Sequence, residues 1–129
     1  MTGGGNLVTP TGRVTHGFVL HCDPLEAPNR LEVNWRGNRF HLEHLTSASC
    51  FDDPAISPNP PAAGFDTYRG TGTGRYHGQP GASAEWTFTD QGEPGKNDTA
   101  MIQIKDSSNV VVLTVTGKLN GGNQQAHQE

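Results

Sequence analysis

The sequence predicts an all-β domain, an antiparallel β-sandwich or flattened barrel of about seven to nine strands. Three observations carry this. Apolar residues recur at every second position in several short runs, the period of a half-buried strand. Turn-forming residues separate the runs, with 17 Gly and 9 Pro in 129 residues. No stretch of useful length has the 3.6-residue period of an amphipathic helix. This length makes a single domain, 1–129, in which residues 1–10 read as a flexible N-terminal segment.

In chain order, Val14, His16, Phe18, Leu20 and Cys22 share one face of a first strand. RLEVNWRGNRFHLEHL (30–45) then alternates Leu31, Val33 and Trp35 with polar residues, turns at Gly37–Asn38 and returns through Phe40, Leu42 and His44. Between Ser47 and Gly64 lie Pro54, Pro58, Pro60 and Pro61, which remove backbone donors, so this stretch reads as a long surface loop. In FDTYRGTGTGRYHG (65–78), Gly70, Gly72 and Gly74 leave one strand face bare. Such a face lets another backbone or an aromatic ring approach closely, or marks a bulge. Trp86 and Phe88 share a face in the next run, as do Ile102 and Ile104 in the one after it. The turn Asp106–Asn109 leads into VVVLTVTGKL (110–119), the most continuously apolar strand and the expected centre of the sheet.

Taken together, GRVTHGFVLHC, LEVNWRGNRFHLEHLTSASC, FDTYRGTGTGRYHGQPGASAEWTFTDQGEPGKNDTAMIQI and the closing GGNQQAH resemble the bacterial secreted β-domains of the post-COAP type. The resemblance covers most of the chain. It implies an exported accessory or surface domain, and it brings no catalytic residues with it.

The formal charge of -4 and the lack of a Lys/Arg cluster in sequence argue against nucleic acid or an anionic membrane surface as partner. No apolar run approaches the roughly 18 residues that a membrane helix needs, so membrane insertion is not expected. MTGGGNLVTP has neither the basic nor the apolar region of an export signal. Cys22 and Cys50 bracket a loop-rich stretch. Paired, they would stabilise the fold by about 3–4 kcal/mol and place the protein outside the cytosol; the alternative is two buried thiols.

In DQGEPGKND (90–98), Asp90, Glu93 and Asp98 can converge on Ca²⁺, a cation that takes six to eight oxygens and tolerates irregular loops, with Asp23, Asp52, Asp53 or Asp66 completing the shell. The competing reading is a hairpin turn whose carboxylates bond to nearby amides. Calcium is thus the cofactor that the sequence allows.

Six histidines suit a transition metal, and His21, His41 and His127 are the surface candidates for such a site. His16 shares the apolar face with Phe18 and reads as a hydrogen-bonded core residue. His41 and His44 fall on opposite strand faces unless a bulge intervenes. Neither a nucleophile elbow nor a phosphate-binding glycine loop is present.

Trp35 and Trp86 read as core. Tyr68 and Tyr76, beside glycines, are the expected exposed rings for an extracellular glycan or protein. The leading expectation is therefore an exported, non-catalytic surface or adhesion module whose acidic loop is either purely structural or calcium-stabilised. The alternatives are a small metal-dependent enzyme using the three histidines, and a self-associating structural subunit paired through open sheet edges.

Overall fold

The computed structural model describes residues 1–56, 61, 63–91 and 97–129. Its strands are β1 (Thr2–Thr9), β2 (Gly12–Val19), β3 (Arg30–Trp35), β4 (Asn38–Phe51), β5 (Thr67–Tyr76), β6 (Gln79–Thr89), β7 (Thr99–Lys105), β8 (Val111–Lys118) and β9 (Gly121–Gln125). They form one antiparallel sheet in the order β8-β7-β6-β5-β4-β3-β2-β1-β9. Each period-two run buries its apolar set on the concave side: Val14 and Phe18 from β2, Leu31 and Val33 from β3, Trp86 and Phe88 from β6, Ile102 and Ile104 from β7.

The sheet curls into a half-barrel. Phe18 of β2 and Phe88 of β6 stack with ring centroids 4.4 Å apart, although three strands separate their own in the sheet. Only strong curvature brings them together. Bare backbone on β5 permits part of that curvature. A Cβ on Gly70 would stand 2.6 Å from the Trp86 ring, and one on Gly74 would strike the His41 carbonyl.

Four findings depart from the sequence reading. Residues 1–10 are not a flexible segment, since Thr2–Thr9 form β1 between β2 and β9. Glycines at 3, 4 and 5 serve close approach here: a Cβ at Gly3 or Gly5 would collide with the backbone of β9. Likewise, β4 runs on through Phe51 into the stretch expected to be loop. Its ladder with β5 shifts register at Leu42/His44 and at Leu45/Ser47, so that Phe40, Leu42, Leu45, Ala48 and Cys50 still point inward. The turn between β3 and β4 has Arg36 and Gly37 at its centre, both at positive φ, rather than Gly37 and Asn38. Finally, β8 lies at one end of the sheet instead of its centre, and Val110 and Val111 are exposed.

The reason for that last difference is topological. β8 pairs antiparallel with β7, and β9 pairs antiparallel with β1, so the two run in the same direction as one bent strand that changes partner. At the bend, Leu119 N–H donates to the Asp98 carbonyl (2.9 Å) and Asn120 N–H to that of Asn6 (2.7 Å). An apolar run can thus sit at the sheet's end because the end is folded back onto β1.

Candidate functional site

This topology sorts the connections into two ends. The tight turns at 10–11, 36–37, 77–78 and 106–110 lie at one end, and the longer connections leave the sheet at the other, after Val19, Phe51 and Thr89. Arg13, Arg36, Arg39, Arg75 and Lys105 stand toward the turn end with Asp106, while Asp23, Glu26, Asp52, Asp53, Asp66, Asp90 and Asp98 stand toward the loop end with Arg30, Arg69 and Lys118. The absence of a basic cluster in the linear sequence does not carry over to the folded chain.

At the loop end, Asp98 is fully buried. Its Oδ1 accepts the Gln91 N–H (2.7 Å) and its Oδ2 the Gln124 N–H (2.8 Å). Asp90 Oδ2 accepts the Ala126 N–H at 2.9 Å. These carboxylates therefore bind the free edge of β9. Glu93, the third expected calcium ligand, lies outside the described residues. Gln124, also fully buried, donates through Nε2 to the carbonyls of Thr89 and Thr99 (both 2.8 Å), and its Oε1 meets His16 Nε2 at 2.8 Å. Burial holds the His16 imidazole below its ordinary pKa, against weaker opposing effects from Gln124 and the Gly5 backbone. Gln124 escaped the sequence reading because nothing in GGNQQ marks one amide as buried.

The three candidate histidines have separate partners. His21 Nδ1 lies 3.3 Å from Asn29 Oδ1, His127 Nε2 meets Thr2 Oγ1 at 2.7 Å, and His41 Nδ1 pairs with Glu32 on the outer face. Glu32 is also held by Arg39 Nε at 2.9 Å, and that hydrogen bond is the main cause of its lowered pKa. The β4 bulge leaves both His41 and His44 exposed. Among the described residues, no group of three or more His, Cys, Asp or Glu side chains is arranged to hold a metal ion.

Cys22 and Cys50 form a disulfide packed against the core. Tyr68, expected to be exposed, is fully buried. Its hydroxyl donates to the His21 carbonyl at 2.8 Å, and burial raises its pKa. The inward face of β5 carries it into the core beneath the disulfide-linked strand, where it pairs in register with Cys50. Tyr76 is half-buried, stacked on Trp35 (5.8 Å) and edge-on to His77 (4.4 Å). Asn38 Oδ1 accepts the Tyr76 hydroxyl at 3.1 Å and meets His77 Nε2 at 2.6 Å. Both tryptophans are core residues.

At the turn end, Arg36 (φ 48°) and His77 (φ 53°) adopt the left-handed conformation at two hairpin tips, where Asn or Gly is the usual occupant. Arg13, Thr15, Asn34, Arg36 and Arg39 line a groove of about 400 Å³. A neighbouring cleft of about 240 Å³ shares Arg13, Trp35 and Arg36 and reaches Leu113 on β8. Arg39 is paired with Glu32, whereas Arg13 and Arg36 have no salt bridge among the described residues. Among those residues no helix is long and apolar enough to cross a membrane. No protein-family model, no curated protein and no solved structure matches the chain.

Proposed function

We propose that the protein is an exported, non-catalytic binding module that recognises an acidic extracellular glycan through its turn end. The observation that carries this reading is the pair Arg13 and Arg36. Two guanidinium groups without a salt bridge among the described residues flank a groove on a chain whose net charge is negative, and Arg36 sits in a backbone conformation that its own residue type disfavours. Guanidinium forks suit carboxylate and sulfate groups, and Thr15, Asn34 and Asn38 add neutral polar contacts of the kind that hydroxyls accept and donate. The disulfide supports export, and the resemblance to secreted post-COAP domains agrees with an accessory role.

Titration calorimetry with oligogalacturonate and with a neutral glucan of equal length tests this. The acidic chain is expected to bind, with affinity falling as salt rises and dropping about tenfold or more in the Arg13→Ala/Arg36→Ala variant. Equal binding of both glycans, or binding unaffected by the double substitution, would overturn the reading.

One observation favours a second reading, self-association. Between Val110 and Gly117 the end strand of the sheet carries no charge and no proline, the features that normally protect such edges, and Val110 and Val111 are exposed. Light scattering across a hundredfold concentration range, with Val111→Lys as comparison, decides whether copies pair there.

A further inference from the structure

We propose that Asp52 and Asp66, at the loop end, hold one hard divalent cation of the calcium class. Asp66 is 2% exposed. Its Oδ1 is engaged by the Asp53 N–H (2.9 Å) and the Thr67 hydroxyl (2.8 Å), but its Oδ2 is buried without a partner. Asp52 is half-buried, with its Oδ1 out of contact with solvent and without a donor. The two side chains face each other, and desolvation followed by the charge of Asp66 raises the pKa of Asp52. The two carboxyl groups lie within hydrogen-bonding distance of each other and, among the described residues, these oxygens meet no other partner, an arrangement that a shared proton or a positive charge satisfies.

Among the described residues, no such positive charge comes from a side chain. The ion pairs among the described residues involve Glu32 and Glu43 on the outer face, and Asp53 adds a further negative charge beside Asp52. Carboxylate oxygens are the preferred donors of a hard cation, and Ca²⁺ completes an irregular shell with carbonyls and water. Two carboxylates make a weak site, in the range of about 0.1–1 mM found in extracellular modules. The location also gives the ion a structural effect. Asp66 N–H donates to the Phe51 carbonyl (3.2 Å) and its carbonyl accepts the Asp90 N–H (2.8 Å), so a bound ion would brace the end of β4 against the 90–98 loop. Asp90 and Asp98, by contrast, already receive backbone amides.

The test is calorimetric titration of the chelator-treated, dialysed protein with CaCl₂ at pH 7.5, alongside thermal melting. We expect one ion per chain, with a melting temperature raised by about 3–5 °C at ten times Kd. Asp52→Asn should weaken binding at least tenfold, and Asp90→Asn should leave it unchanged. Because Asp52 is half-buried on a loop and, among the described residues, its side chain meets only Asp66, its variant tests binding without depending on whether Asp66→Asn folds. No calcium response in the parent protein, an unaltered response in Asp52→Asn, or loss in Asp90→Asn alone would overturn the proposal. A parent that ignores calcium but gains stability between pH 7.5 and 5.5 would mean that the two carboxyl groups share a proton instead.

Discussion

The carboxylate of Asp98 accepts the backbone N–H of Gln124 at 2.8 Å, across 26 residues of chain. The Gln124 side chain in turn bridges the last carbonyl of β6 and the first of β7. A short polar strand with no apolar residue in GGNQQ is thereby fixed to the mouth of an apolar half-barrel. Its side of the closure rests on hydrogen bonds, where the rest of the sheet relies on burial.

Replacing Asp98 by Ala should therefore cost about 3–4 kcal/mol, since the buried N–H of Gln124 and the half-buried N–H of Gln91 lose a charged acceptor. Urea denaturation measures this. A loss below about 1 kcal/mol would show that water replaces the carboxylate and that β1, Asp90 and the Gln124 side chain suffice to hold β9.

Stability should also fall as the solution is acidified through the ordinary histidine range. The pKa of His16 is lowered in the fold by burial, so below its ordinary value of 6.5 the unfolded chain binds the proton more readily than the folded one. The contribution of His16 is complete above pH 6.5 and is lost as pH drops toward its folded pKa. Urea midpoints at pH 7.5, 6.5 and 5.5 should show this decline in the parent protein and a shallower one in His16→Phe. Parallel pH profiles would assign the effect to other groups.

Gly70→Ala should destabilise the protein by about 1–3 kcal/mol, because its Cβ would stand 2.6 Å from the rigid Trp86 ring. Gly37→Ala, where a Cβ meets nothing within 4 Å but φ is +78°, tests backbone strain separately. If Gly70→Ala proves neutral in thermal melts, the ring has room to slide and close packing against β5 does not set the curvature.

Reducing the Cys22–Cys50 bond, or replacing both residues by Ser, should lower stability by about 3–4 kcal/mol through the greater freedom of the unfolded chain. Melting with and without dithiothreitol reads this directly. A drop of under about 1 kcal/mol would mean that the unfolded chain is already restricted between those residues.

The strands and most of the core could be read from the sequence, because a two-residue period reports directly which side chains face inward: Leu31, Val33, Trp86, Phe88, Ile102 and Ile104 all do. The period stops being informative where register shifts. In β4 two bulges break the alternation, so Ser47–Phe51 look like loop. Partner choice was not legible either, which is why VVVLTVTGKL reads as a central strand when it bends away at one end. The acidic residues at 90 and 98 stood out by composition, but their partners on β9 are set by curvature that no local pattern encodes. The turn-end arginines of the groove come from two hairpins, Arg13 from one and Arg36 and Arg39 from the other, and meet only through the fold.

Pairing of β1 with β9 also bears on when the molecule can form. Thr2 lies opposite Gln125, so the first strand acquires one of its two neighbours only after nearly the whole sequence is free to fold. Local hairpins such as β3–β4 and β5–β6 can assemble early, while the step that joins the chain's extremes has the largest loop to close. A domain of this design stays incomplete until the residues of β9 are free to pair with β1.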